Sequence, residues 1–361
     1  MNYQNLYNQI AILLPQKEGF SEKNFGSVSL FVRDINKKSK FKKQIKVFAH
    51  CKNSSFKGFN VKHLNKSYNH LFFGKNIGHT KEFIKNIDQV NIPKIIEIHN
   101  RPNSVLRISK YLPKSKIFLF YHNDPFSFKE SKTVDSKLKL IQKCHKLIFV
   151  SEFLKKRFLK GLPKTNKIYS KLHVIYNGIE PIFKNNIKKK QNIVFIGELN
   201  ENKGFNFFLD AARDICNDFN DWEIDIFGKI KNDNFYTEES TKIHFHGFLP
   251  HGEIIKELQK SSICVVPSVW NEPFGRVALE SISARVATIT SINGGLKEIA
   301  DHFKVIKLRN IDKKTIYNAI KKLIMSKNEI KYYSNNKVSS SPFTLKKITN
   351  NLDLLRKDSF E

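Results

Sequence analysis

Short apolar, β-branched runs recur along the chain and alternate with longer stretches of helical periodicity. Six such runs fall in the first half: IAILLP (10–15), IKVFAH (45–50), KIIEIH (94–99), KIFLFYH (116–122), KLIFVS (146–151) and LHVIYN (172–177). Five more follow: NIVFIG (192–197), EIDIFG (223–228), KIHFHG (242–247), SICVVPS (262–268) and VATITS (286–291). Windows of helical spacing stand between them, among them NFGSVSLFVRDI, TVDSKLKLIQKCH, KGFNFFLDAARDICNDF, HGEIIKELQKSS and FGRVALESISA. A near-continuous apolar strand is covered on both faces, so this alternation predicts parallel sheets flanked by helices.

The pattern breaks at IFKNNIKKKQN (182–192), which is polar, basic and unpatterned. Read as an interdomain linker, it predicts two Rossmann-like α/β domains, 1–182 and 183–342. The terminal segment SPFTLKKITNNLDLLRK predicts a closing helix within 343–361. Ligands of such sheets bind at the carboxyl ends of the strands. Two domains facing each other would put that crevice between them, so candidate chemistry is sought just after each strand.

Composition narrows the class. A length of 361 residues suits about two domains, and 40% hydrophobic with 27% charged residues excludes a disordered chain. The four cysteines, Cys51, Cys144, Cys216 and Cys264, are far apart and form no CxxC pair. They fit neither a disulfide scaffold nor a zinc ribbon, and predict a reducing compartment. No run approaches the ~18 apolar residues of a membrane-spanning helix. The N-terminus lacks a basic n-region and a small-residue cleavage site, so a cytoplasmic protein is expected.

The charge is the unusual number: 63 Lys+Arg against 33 Asp+Glu, a formal net charge of +30. Such a field attracts polyanions and anionic membrane surfaces. The basic residues are spread over 37–46, 155–160, 184–190 and 346–357, without a homeodomain, zinc-finger or RRM pattern, so nucleic acid is not the expected partner. Enrichment in Lys, Asn, Ile and Phe together is what an AT-rich coding sequence produces, and part of the excess is read as that. The remainder suits an acidic acceptor or peripheral contact with an anionic membrane.

Several chemistries are absent. No G-x-x-x-x-G-K-[ST], H-E-x-x-H or G-x-S-x-G occurs, and no G-x-G-x-x-G follows a strand. His244 and His246 share one face of a strand but lack an acidic or cysteine neighbour in sequence, and are read as structural.

The most informative segment is VVPSVWNEPFGRVALESISA, 265–284. A buried strand ends at Pro267-Ser268, a loop carries Trp270-Asn271-Glu272-Pro273, and a helix opens near Phe274-Gly275. Its N-terminus presents the amides of Phe274, Gly275 and Arg276, a setting suited to a diphosphate. Gly275 admits close approach of an oxygen. Glu272 before the helix and Glu280 within it bracket that position, and each carboxylate can accept from sugar or ribose hydroxyls. A nucleotide sugar has that shape. Glu280 also sits among Val277, Leu279 and Ile282, which leave little polar face for a solvated residue.

Other strand ends agree. Gly197 closes a strand and is followed by Lys203 and Gly204 at the start of a helix, where a lysine can meet a pyrophosphate as a point charge. Gly294-Gly295 forms another possible anion cradle. Glu18-Gly19 to Gly26-Ser27 is a glycine-bearing loop after the first strand, and His122-Asn123-Asp124-Pro125 follows KIFLFY.

These residues together resemble the retaining family-4 glycosyltransferases of GT-B fold. The resemblance rests on Glu272-x7-Glu280 within PSVWNEPFGRVALE, VFIGELNENKG before it, GGLKE after it, and HNDP, VIYNGIE and PFTLKKI elsewhere. IAILLPQKEGFSEKNFGSVSLF and FYHNDPFSFKESKT are similar to bacterial enzymes of lipopolysaccharide-core or other surface-polysaccharide assembly. The resemblance implies hexose transfer from a nucleotide sugar to a glycan or glycolipid acceptor, phosphorylated or not. It puts Glu272 beside the reacting carbon, Glu280 on the ribose, Lys203 on the pyrophosphate, and the amides of Phe274 and Gly275 toward the donor. Gly26 would approach the phosphate from the first domain and His122 would lie near the transferred sugar. It implies no metal and no cofactor beyond the donor. Glu198 stands where the family carries an Arg, which removes a cation that Arg276 could replace; Arg285 and Ala287 depart from the usual glycine and proline. The competing expectation is a catalytically silent protein of the same fold that docks on anionic membranes or polyanions.

Overall fold

The structure, a computed structural model, describes residues 9–51, 55–65, 75–183, 187–229 and 241–361. The chain divides into two compact units, one running to Gly178 and rejoined by Leu345–Glu361, the other Ile179–Thr344. Residues 184–186 of the expected linker lie outside the described residues. The division falls at 178/179 and not at 182/183, because the intervening residues are already bonded to the second unit. Ile179 N donates to Phe343 O (2.9 Å), and Ile182 N and Phe183 N donate to Ser283 Oγ and O at 3.0 and 3.1 Å.

The first unit holds a seven-stranded parallel sheet of β1 (Ile10–Leu13), β2 (Ile45–Ala49), β3 (Asn60–His63), β4 (Ile95–His99), β5 (Lys116–Tyr121), β6 (Lys146–Phe149) and β7 (Leu172–Val174). Their order is β3-β2-β1-β4-β5-β6-β7. The second unit holds β8 (Asn192–Ile196), β9 (Glu223–Phe227), β10 (Ile243–Gly247), β11 (Ile263–Val266), β12 (Ala287–Ser291) and β13 (Ile306–Leu308), ordered β10-β9-β8-β11-β12-β13 and again parallel. Counted within its own unit, the second sheet runs 3-2-1-4-5-6 and the first 3-2-1-4-5-6-7, the doubly wound order with one further strand. The order reverses between β1 and β4 and between β8 and β11. At those two switch points the loops diverge to opposite faces and leave a crevice.

β1 is apolar throughout, its four residues at most 1% exposed, whereas its neighbour β4 carries the buried Glu97 and His99. β3 and β13 escape the apolar pattern: β3 is a largely exposed edge strand of sequence NVKH, and β13 has three residues. Helix Leu345–Lys357 belongs to the first unit, where Arg356 is fully buried and donates to Glu97 of β4.

Candidate active site

At the switch point of the second sheet, the loops after β8 and β11 are stitched together by backbone. Asn200 caps the turn Glu201–Lys203, its Oδ1 accepting from Lys203 N at 3.1 Å. The Asn202 carbonyl then accepts from Val269 N and Trp270 N at 2.9 and 3.2 Å. This register brings the Lys203 ammonium into an ion pair with Glu272, 5.2 Å from the centroid of the Trp270 ring. Ser268 Oγ donates to the same oxygen, Glu272 Oε1, at 2.7 Å. Glu272 is only 8% exposed, so the pair is held in a setting where charge is weakly screened.

The loop after β12 completes the frame. Gly295 N donates to Glu272 O at 2.7 Å, and Asn293 Nδ2 donates to the carbonyls of Ser268 and Val269, both at 3.0 Å. A Cβ on Gly294, which has φ +66°, would overlap the Glu272 backbone. The paired glycines expected as an anion cradle thus have a nearer occupant, the Glu272–Phe274 backbone.

Gly275 begins the helix Arg276–Ser283 with φ +108°. The side chains of Leu296 and Ile299 close on it, and its positive φ favours a glycine here whether or not a ligand binds. The Phe274 side chain is buried edge-on against Phe343, ring centroids 5.6 Å apart. Glu280 is 5% exposed and its Oε1 accepts from His251 Nε2 at 2.9 Å and Arg276 at 3.0 Å. Burial pushes its carboxyl up, but the two basic neighbours outweigh that and bring it to about 2. Arg276, the cation expected to replace the family's Arg, is therefore the partner of Glu280. Glu198 is exposed and accepts from Asn200 Nδ2 at 3.1 Å. Gly197 N donates to Phe227 O at 3.0 Å at the end of β8.

In the first unit, Gly26 caps helix Ser27–Lys38 and meets the carboxylate of Glu18, which a Cβ there would overlap. Ser29 Oγ and N donate to Glu18 Oε2 at 3.1 and 3.4 Å. Burial raises the Glu18 pKa, against the pull of Ser29 and Arg101. The helix N-terminus read as a phosphate site thus already faces an anion of the chain itself. His122 is 6% exposed, and its Nε2 lies 2.9 Å from His99 Nδ1.

Sequence reasoning missed His251, Ser268, Asn202, Asn293 and His99. His251 carried a signal, since it opens a helix just after a strand end, as did His99 and Ser268, which close the runs KIIEIH and SICVVPS. His246 is bonded to Asp225 at 2.6 Å, a partner the sequence spacing concealed. No group of three or more His, Cys, Asp or Glu that could hold a metal occurs among the described residues.

Residues 179–338, nearly the whole second unit, match the family described as "Glycosyl transferases group 1". The chain is 27% identical over 238 residues to "Putative glycosyltransferase YtcC" of Bacillus subtilis, and the match covers 58% of each chain. The matched stretch therefore spans little more than half the length of that relative. Among solved structures, Anabaena Alr3699/HepE in complex with UDP and glucose superposes with a TM-score of 0.74 at 14% identity, covering 97% of this chain and 99% of that one. WaaG, a glycosyltransferase involved in lipopolysaccharide biosynthesis, gives a TM-score of 0.68 at 13% identity over 96% and 99%. The second unit is therefore a glycosyl transferases group 1 domain, and the chain has the fold of the GT-B glycosyltransferases.

Proposed function

We propose that the protein transfers a hexose from a nucleotide sugar to a glycan or glycolipid acceptor of a bacterial surface polysaccharide, with retention of anomeric configuration. The observation that carries this reading is the Lys203–Glu272 pair at the β8/β11 switch point, locked by three loops. In the proposed reaction the bond between the anomeric carbon and the diphosphate oxygen breaks. A bond to an acceptor hydroxyl forms on the same face, and the hydroxyl proton leaves with the diphosphate. Lys203 then meets the growing charge on the diphosphate, while Glu272 steadies the positive anomeric centre. Glu280 accepts from the ribose, and His122 stands beside the transferred sugar. A complex of HepE with UDP-glucose makes UDP-sugars the first donors to try.

The test is turnover of UDP-, GDP- and ADP-hexoses with purified lipid-linked acceptor, with and without EDTA, the product anomer being read by NMR. Release of nucleotide dependent on acceptor, unaffected by EDTA, is expected. A panel in which no donor binds or turns over overturns the reading, and leaves a silent member of the fold. We further propose peripheral contact with anionic membrane through 37–46 and 155–160, where Lys37, Lys38, Lys40, Lys42, Lys43, Lys156 and Lys160 are exposed. Phe158 takes no part, because it is fully buried, and Phe41 packs on Phe360 at 5.3 Å.

A further inference from the structure

The first sheet's switch point carries a second histidine beside His122. β4 and β5 pair with His99 opposite Phe120, so His122, two residues on, returns to the same face. His99 is 1% exposed, stacked on Phe120 at 4.3 Å, with Phe31 edge-on to both imidazoles at 6.1 and 4.8 Å. The one polar contact between the two rings is the 2.9 Å approach of His99 Nδ1 to His122 Nε2.

A hydrogen bond between two neutral imidazoles admits two proton arrangements. Either His99 donates from Nδ1 and keeps a bare Nε2, or His122 donates from Nε2 and His99 carries its proton on Nε2. The far nitrogen of His99 decides between them. His99 Nε2 is buried and meets no hydrogen-bond partner. A buried N–H with nothing to donate to is the rarer and costlier orphan. A cationic pair is disfavoured as well, since burial, with His122 and Arg356 nearby, holds His99 well below the usual imidazole pKa.

We propose that His99 is a positioning residue that fixes the proton of His122: neutral His99 donates from Nδ1 to His122 Nε2, leaving His122 an Nδ1–H imidazole. Its neighbour Asn100 fixes the backbone of the same residue. Asn100 holds φ +51° and its Oδ1 accepts from His122 N and Asn123 N at 2.8 and 3.2 Å. Under the function proposed above, on which this clause and the kcat readouts rest, His122 meets the transferred sugar as a hydrogen-bond donor and not as a base.

The experiment is long-range 1H–15N correlation on protein labelled with 15N-histidine, the signals assigned through His99→Asn and His122→Gln. Both rings in the Nδ1–H form in the wild type is the expected result; an Nε2–H form of either ring overturns the proposal, whether or not any sugar is turned over. His99→Leu should release His122 to the Nε2–H form and lower kcat about tenfold or more, with nucleotide affinity within twofold. His99→Asn, which returns a donor near the Nδ1 position, should restore the Nδ1–H form and most of kcat. Equal kcat in all three proteins overturns the positioning role. The expected spectrum in a protein without turnover overturns the proposed function alone.

Discussion

Arg356→Met removes the one cation from a buried cluster. The Arg356 guanidinium is fully buried, and each of its five N–H groups has a partner. Nε donates to Glu97 Oε1 (2.7 Å), and Nη2 to Glu97 Oε2 (2.9 Å) and Asn36 Oδ1 (2.8 Å). Nη1 donates to Ser39 Oγ (3.1 Å) and Asp353 Oδ1 (3.2 Å). Methionine fits the aliphatic volume but leaves Glu97, 1% exposed, and Asp353, 5% exposed, without a counter-charge. Breaking a buried pair on one side costs about 3–5 kcal/mol. For a unit of 150–250 residues that is roughly a 6–20 °C fall in Tm. The assay is calorimetry with hydrogen exchange on β4 and Leu345–Lys357, which follows the first unit even if the two units melt separately. Arg356→Lys should fall between, because an ammonium has three donors for a five-donor geometry. Glu97→Met with Arg356→Met should regain part of the loss, since an apolar replacement of a buried pair is often neutral, while Asp353 keeps only the bonds from Ser39 Oγ and Lys40 N. A single variant within 1 kcal/mol of wild type, or a double variant no better than the single, refutes the reasoning.

Glu280 makes the second unit acid-labile. Its folded pKa, about 2, lies below the ordinary 4.5, so its stabilisation is complete above pH 4.5 and is lost as pH falls toward 2. The full term is at most about 3 kcal/mol, and Glu280→Gln should flatten the acid limb of a chemical-denaturation series in that window; an unchanged limb counts against it. Glu272→Gln should lower kcat by about 100-fold or more without weakening nucleotide binding by calorimetry, because in the proposed reaction its charge acts on the anomeric centre; turnover within twofold of wild type removes Glu272 from the chemistry. On membranes, each lysine near an anionic surface is worth about 1 kcal/mol and is screened within roughly 8 Å at physiological salt. Co-sedimentation with anionic liposomes at low salt, lost at high salt and absent with neutral lipid, is therefore expected; equal pelleting with both lipids refutes the contact.

The sheets were legible because their strands announce themselves. IAIL, NIVFI and ICVV are continuous apolar runs, and only a strand buried on both faces reads so. NVKH was not legible, since an exposed edge strand has no apolar signature. The site was legible as residue types at strand ends, but its pairings were not. Lys203 and Glu272 are 69 positions apart and meet through the carbonyl of Asn202, a contact without a sequence pattern. Arg356 reads in sequence as the polar face of an amphipathic helix, and its burial depends on Glu97, 259 positions away. The boundary at 178/179 was hidden for a similar reason, since Ser283 holds Ile182 and Phe183 from outside the local chain.

The glycines show where reading function from sequence needs a second step. Gly26, Gly275 and Gly294 sit at strand ends and helix starts, where a phosphate is a reasonable guest. In each case an atom of the chain already claims the space: the Glu18 carboxylate at Gly26, Leu296 at Gly275, the Glu272 backbone at Gly294. A glycine is explained before any ligand is invoked by the neighbouring backbone at Gly294 and by the positive φ at Gly275, whereas at Gly26 the neighbour is only the end of a flexible side chain. The cations give a different result. Arg276 is bound to Glu280 one turn along the same helix, and Lys203 to Glu272 across two loops, both carboxylates being of low exposure. Under the proposed function, a diphosphate arriving at either cation would compete with a carboxylate already in place, exchanging one charge partner for another. Binding should accordingly strengthen for the diphosphate when Glu272 is neutralised to Gln, even as turnover falls, and a weaker diphosphate affinity in that variant would show that the carboxylate holds Lys203 in position and does not compete for it.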